Sequence, residues 1–280
     1  MTKQSDKIYI KTKDFLVSGE SFNLVLDEKN QILKTVPQPK ELSNYYESKD
    51  YISHTDSRKG AINFLYQVVK SYSLNKKTKL LKNQNLGIGS LLDIGAGTGE
   101  FLKYAKNKNW KVNGVEVNES ARNLASEKGI NLKKSIDDFQ GNQFDVVTLW
   151  HVLEHLPNLE KTITQIESLV NEGGTLLIAV PNFHSFDAHY YKEYWAAYDV
   201  PRHLWHFSQE SMKNLFSSKM KLVKTKPMIF DAFYVSLISE KYKTGNAFSL
   251  KAFWIGLCSN LSAWKTKEYS SLIYVFKKAK

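Results

Sequence analysis

The chain has 280 residues, 42% of them hydrophobic and 24% charged, with 39 Lys and Arg against 28 Asp and Glu and a formal net charge of +11. That composition excludes wholesale disorder, and the length is enough to bury a sizeable core without metal or disulfide support. The single cysteine, Cys258, excludes an intramolecular disulfide and a cysteine-rich zinc site.

Residues 1–13 are polar and basic, with no apolar core of the kind a signal peptide needs. No run approaches the ~18 apolar residues of a spanning helix. The expectation is a soluble, cytoplasmic protein in a reducing compartment. The lysine excess permits an anionic partner, but the lysines are scattered and no arginine-rich stripe is present, which argues against nucleic acid.

Ile8-Tyr9-Ile10, Phe15-Leu16-Val17, Phe22 to Leu26 and Ile32-Leu33 predict a small β-meander within residues 1–44, ended by Pro37-Gln38-Pro39. Tyr45, Tyr46, Tyr51 and His54 follow in a segment dense in aromatics. Ile62, Leu65, Tyr66 and Val69 have helical spacing, so residues 60–81 predict a helix, with Lys82 to Asn85 as a polar link.

From Ser90 to Val180 short apolar runs alternate with helical stretches. Strands are predicted at 91–94, 112–117, 144–150 and 175–180, and helices at 100–108, 120–128 and 159–170. This alternation implies a parallel sheet wound by right-handed crossovers and covered on both faces. Residues 181–207 have no clear period and read as an aromatic loop or lid. A helix is predicted over 208–219, capped by Ser208, and strands over 228–235 and 271–276, with a Trp-rich helical insertion spanning 244–267.

The decisive segment is Leu91-Leu92-Asp93-Ile94-Gly95-Ala96-Gly97-Thr98-Gly99-Glu100. A strand enters a glycine turn that opens a helix, the place where ligands bind in open parallel sheets. The spacing is G-x-G-x-G, with Glu100 where the dinucleotide fingerprint G-x-G-x-x-G/A wants a small residue. That carboxylate and Asp93 disfavour a diphosphate and suit a ligand with a cationic part. Glu116, about twenty residues beyond, can accept hydrogen bonds from both hydroxyls of a ribose. A nucleoside with a positive, phosphate-free tail meets these constraints, and S-adenosylmethionine is such a molecule.

Asp93 to Glu100, Glu116 and Phe144-Asp145-Val146-Val147 resemble the first, second and fourth motifs of class I S-adenosylmethionine-dependent methyltransferases. Trp150-His151-Val152-Leu153-Glu154-His155-Leu156-Pro157 resembles the segment after the fourth strand in the subfamily that includes ubiquinone-biosynthesis O-methyltransferases. Residues 199–208 are similar to a segment of many uncharacterised bacterial members. The resemblance covers roughly residues 45–280 and implies a Rossmann-like α/β domain with seven strands in the order 3-2-1-4-5-7-6, the last antiparallel.

The resemblance also implies roles. Gly95, Ala96, Gly97 and Thr98 pass under the methionine part of the cofactor. Asp93 meets its ammonium, Glu116 holds the ribose, and Val117, Trp150 and His151 border the site. Asp137 is a candidate for the adenine amine, with Asp138 a helix-starting alternative. The implied reaction is O-methylation of a small acceptor.

His151-Val152-Leu153-Glu154-His155 also matches the inverted zinc-peptidase pattern H-x-x-E-H. Its position after a buried parallel strand, beside a glycine loop, argues against a peptidase, and no metal is expected. His155, His203 and His206 are the candidate bases, since imidazole titrates near working pH. Packing roles remain open for each. Arg202 is read as either an acceptor-carboxylate ligand or a partner of Asp199. The aromatics of 181–207 either line an acceptor or pack the lid. Phe248, Phe253, Trp254, Leu257, Leu261 and Trp264, with Lys251, Lys265 and Lys267, suit a helix over 248–264 that either lies on an anionic membrane or is buried against the sheet edge or in a dimer contact. Oligomeric state is left open.

Overall fold

A computed structural model describes residues 7–46, 73–83, 87–246 and 248–280. Tyr51, His54 and residues 60–72 of the expected helix lie outside the described residues, and residues 73–83 are helical (α1). The N-terminal strands are β1 (Lys7–Lys13), β2 (Ser21–Asp27) and β3 (Ile32–Val36), paired antiparallel as expected. Phe15-Leu16-Val17 is not a strand. The Asp14 carboxylate accepts from the backbone N–H groups of Leu16, Val17 and Ser18, which turns the chain there.

The central layer alternates strand and helix. In order come β4 (Ser90–Ile94), α2 (Glu100–Lys106), β5 (Lys111–Val115), α3 (Glu119–Glu127), β6 (Phe144–Trp150), α4 (Leu159–Ser168) and β7 (Val170–Pro181). After residue 181 follow α5 (Phe186–Tyr191), β8 (Trp205–His206), α6 (Gln209–Lys213), β9 (Met220–Pro227), α7 (Asp231–Thr244), α8 (Leu250–Thr266) and β10 (Ser271–Lys278). Among the described residues the large sheet has six strands, in the order β5-β4-β6-β7-β10-β9. β5, β4, β6 and β7 are mutually parallel, and β10 is antiparallel to both β7 and β9.

This is six positions of the expected seven. Where the outer strand beyond β5 was expected there is one parallel bridge, Val115 to Lys133. Two backbone hydrogen bonds hold it, Glu116 N to Lys133 O at 2.9 Å and Lys133 N to Gly114 O at 2.9 Å. The segment carries only Ile130 and Leu132 as apolar residues between polar neighbours, too little buried surface to extend the ladder.

Alternation along the strands sends side chains to two cores. Leu91, Val146, Leu177 and Val275 pack with Phe101, Leu102 and Ala105 of α2 and with Leu80 and Leu81 of α1. Leu92, Val147, Leu149, Ile178 and Phe276 pack with Leu159, Ile163 and Ile166 of α4 on the other face. Both faces of the parallel strands are covered, which is why they read as continuous apolar runs.

The segment 181–207 builds a third core rather than a loop. Trp195, Tyr191, Tyr198 and Phe183 are buried with Phe22, Leu24 and Leu33 of the meander. Short helical turns at Lys192–Tyr194 and Ala196–Tyr198 break the period that would have revealed it. β8 pairs antiparallel with β3, so the meander is completed by a strand far along the chain. α6 is shorter than expected. Its start is as anticipated, with Ser208 capping and Ser211 closing the reciprocal bond. The expected strand at 228–235 is not present. The strand lies earlier, at β9, and α7 begins at Asp231.

Candidate functional site

The C-terminal ends of β4, β5 and β6 converge on the glycine loop. Gly95, Gly97 and Gly99 have φ of +74°, +54° and +72°, a region that side chains with a Cβ rarely adopt. A Cβ at Gly95 would lie 2.3 Å from Val152 Cγ2, so the loop also packs beneath the segment that follows β6. The Gly95 and Ala96 N–H groups both donate to Val115 O, at 2.8 and 2.9 Å, which ties the loop to the end of β5. The next residue there is Glu116. Its carboxylate accepts from Gly97 N at 2.8 Å and from Asn118 N at 2.9 Å. Glu116 is thus held beside the loop, as its spacing predicted. Thr98 is half-buried, and its carbonyl accepts from Lys128 Nζ at 3.0 Å.

Asp93 is buried at the end of β4 and lies opposite Thr148 of β6, whose hydroxyl donates to it at 2.6 Å. Burial, with a smaller contribution from the Glu116 charge, raises its pKa to about 7 against the opposing pull of Thr148 and of the Lys77 charge. Lys77 of α1 sits 4.3 Å from the centroid of the Trp150 ring. Among the described residues nothing hydrogen-bonds the buried Trp150 Nε1. A glycine cradle, an anchored carboxylate, a buried acid facing an ammonium, and an orphan indole donor fit a cofactor with a ribose and an amino-acid tail.

Val117 is 74% exposed just beyond Glu116, on a turn where Arg122 Nη1 donates to the carbonyls of Glu116 and Val117 at 2.8 Å each. Asp137 is exposed, on the turn Ile136–Phe139, and accepts from Gln165 Nε2 at 2.7 Å. Asp138 closes a reciprocal cap with Ser135, the helix-starting arrangement weighed for it.

His151 follows β6 at φ +56°. Its Nε2 lies 3.2 Å from Asp231 Oδ2 and its Nδ1 3.6 Å from Glu154 Oε1. Burial alone would lower its pKa, but Asp231 and then Glu154 outweigh that and raise it to about 10. His151 is therefore an imidazolium between two carboxylates. Burial opposes ionisation of Glu154, but His151, 3.6 Å away, and the His203 and His155 rings outweigh it, so its pKa is lowered.

His155 and His203 meet edge to face, with centroids 4.5 Å apart. His155 Nδ1 lies 3.0 Å from the Arg202 carbonyl, which can only accept, so this nitrogen carries the proton; it also lies 3.1 Å from the Tyr46 hydroxyl. His203 Nδ1 donates likewise to Ala197 O at 2.9 Å. Both rings keep Nε2 as an acceptor. Burial, with the neighbouring His155, pushes the His203 pKa well down. Among the described residues, Glu154, His155 and His203 offer ligand atoms all within 4.8 Å of one another, a donor set of the zinc type. The His151 imidazolium already balances the buried Glu154 charge.

His206 is placed elsewhere, on β8. The Thr35 hydroxyl donates its proton to His203 O at 2.6 Å, so it must accept from His206 Nε2–H at 3.1 Å. Burial lowers the His206 pKa to about 3. Arg202 is 1% exposed and pairs with both Asp199, at 2.7 Å, and Asp14, at 2.9 Å, which leaves no room for an acceptor carboxylate. Tyr191, Trp195 and Tyr198 pack the lid itself. Lys77, Thr148 and Asp231 join the site by tertiary packing. Only the polar position of Thr148 inside an apolar strand carried a signal of this in the sequence.

Residues 63–218 match the model of a family described as a methyltransferase domain. A ubiquinone biosynthesis O-methyltransferase of Coxiella burnetii is 28% identical over 110 residues, covering 36% of this chain and 47% of that one. An uncharacterised protein of Methanocaldococcus jannaschii is 32% identical over 108 residues, covering 38% and 51%. The chain thus spans about half the length of these relatives. Among solved structures, the plantazolicin methyltransferase BpumL in complex with S-adenosylhomocysteine aligns with a TM-score of 0.53 at 16% identity, over 84% of this chain and 92% of that one. The O-methyltransferase segment of StiE aligns with a TM-score of 0.52 at 16% identity, over 79% and 78%. At these identities the likeness to the two structures is one of fold.

Proposed function

The chain belongs to this methyltransferase family, and on that premise we propose that it transfers the methyl group of S-adenosylmethionine to an oxygen of a small acceptor. The observation that carries the oxygen assignment is His155, an imidazole with its Nδ1–H anchored on a carbonyl and the buried Glu154 carboxylate beside its ring. A hydroxyl must lose its proton to become a good nucleophile, whereas a neutral amine need not lose one before attack.

When bound, S-adenosylmethionine supplies an electrophilic methyl on a sulfonium. The chain positions the partners and removes a proton. Each Glu116 oxygen accepts one backbone N–H and keeps a further lone pair for a ribose hydroxyl. Asp93 and Lys77 present opposite charges, the complement of an amino-acid zwitterion: Asp93 for the ammonium, Lys77 for the carboxylate. Gly95 to Thr98 admit the tail close to the backbone. Val117 and Asp137 would meet the adenine, and Trp150 and His151 would border the acceptor side. His155 Nε2 takes the proton, and the Glu154 anion stabilises the imidazolium that forms.

Two outcomes test the cofactor half. Glu116→Ala is expected to weaken S-adenosylhomocysteine binding about 10–100-fold, the worth of about one hydrogen bond to a charged group, and calorimetry with equal affinities for both proteins would remove the ribose assignment. The pH dependence follows from Asp93. With its pKa near 7, the free protein holds a proton there below neutrality, and a cationic ligand needs the ionised form. Affinity is expected to rise about tenfold from about pH 6 to about pH 8, and to be flat in Asp93→Asn. Titrations in two buffers of different ionisation enthalpy would detect the released proton.

A further inference from the structure

Helix α8 carries its apolar residues on the wrong side for a core helix. Its buried stripe is Ala252, Ile255, Gly256, Ser259 and Ala263, mostly small residues. They let α8 seat closely on α7, where a Cβ at Gly256 would lie 2.8 Å from Phe233 Cδ1. The large residues face out. Leu250 is 76% exposed, Trp254 62%, Leu261 50% and Trp264 71%, with Leu257 and Phe253 on the same side. A contiguous exposed apolar face of this kind marks an interaction surface.

Charge selects the partner. α8 contains no acid; its Lys251 pairs with Glu240 of α7 at 3.3 Å, so Lys265, and Lys267 just beyond its C-terminal end, carry the unbalanced charge. Two copies of this face packed together would bring lysines near lysines with no carboxylate on the helix to pair them, an unfavourable arrangement. An anionic lipid surface answers both features. It accepts tryptophan, phenylalanine and leucine at the headgroup boundary and attracts the flanking lysines. The helix is 17 residues long, and no helix of the described residues is long and apolar enough to cross a membrane, so it would lie in the plane of the surface. We propose that α8 docks the protein on anionic lipid bilayers through Leu250, Trp254, Leu257, Leu261 and Trp264. The α7 end that bears Asp231, the partner of His151, would then stand close to the bilayer.

The test is co-sedimentation of the full chain with vesicles of phosphatidylcholine mixed with phosphatidylglycerol, and with phosphatidylcholine alone. The protein is expected to pellet with the mixed vesicles, less so at high salt, and to remain soluble with the neutral ones. The double variant Trp254→Ser, Trp264→Ser should lose at least about tenfold in partitioning, since it removes the two largest apolar side chains of the face. Its affinity for S-adenosylhomocysteine should be unchanged, which reports intact folding separately from lipid binding. Equal sedimentation of the variant, or no sedimentation of the parent chain with the mixed vesicles, would overturn the proposal. So would a dimer in solution that the same two substitutions dissociate, since the face would then belong to a second copy.

Discussion

His155→Ala is expected to lower kcat about 10²–10⁴-fold, the range for removing a general base, while leaving S-adenosylhomocysteine affinity within about twofold of the parent. The reasoning is geometric. His155 is half-buried and its Nδ1–H points to the Arg202 carbonyl, so Nε2 is the nitrogen that would meet a substrate hydroxyl. His203 is more deeply buried and is held neutral, and His206 gives its Nε2–H to Thr35, so neither is as well placed. A role limited to packing would appear as a loss of stability with kcat preserved. Single-turnover rates with saturating cofactor, measured across pH, separate the two.

Arg202→Met is expected to destabilise the fold by about 3–5 kcal/mol, because it leaves two carboxylates without their cation. The guanidinium donates to Asp199 from Nε and Nη2, to Asp14 from Nη2 and to Tyr45 O from Nη1. Burial would raise the Asp14 pKa, but the Arg202 bond and two backbone donors lower it instead. A carboxyl held below its ordinary value stabilises the fold at pH above its unfolded pKa, and that contribution fades as pH falls through the folded value. The destabilisation should therefore shrink in acid. Urea unfolding of parent and variant at neutral and acidic pH would check it, and a neutral-pH difference below about 1 kcal/mol would show that the pair merely offsets its own desolvation. Because the Arg202 carbonyl also anchors His155, turnover should fall along with stability.

The parts of this site that follow from local sequence were readable in advance. Leu91 to Gly99 states a buried strand and a left-handed turn in its own residue types, and Glu116 sits where the next strand must end. What joins the site from afar was not readable. Lys77 reaches Trp150 from a helix that precedes β4, and Asp231 reaches His151 from a helix begun eighty residues later. Element errors have similar causes. β9 carries Lys221, Lys224 and Lys226 on an edge strand, so its pattern looks polar although it is paired. Ile229, Phe230 and Phe233 look like a strand but open a helix whose aromatic side chains are partly outside. The aromatic segment 181–207 has no period because short turns and one two-residue strand build it, and only its partners in the meander make it a core.

The pairing of β3 with β8 sets an order of events during synthesis. Thr35 finds His206 across 171 positions of chain. At ribosomal speeds of about 5–20 residues per second, the β3 edge stays open for roughly 10–30 s before its closing strand has been made. During that interval a lengthening nascent chain carries an unpaired edge strand, a template for association with other chains. Lys34, on β3 itself, stands as a charged guard over that edge during the wait, while Lys7, Lys11 and Lys13 lie on β1 at the opposite edge.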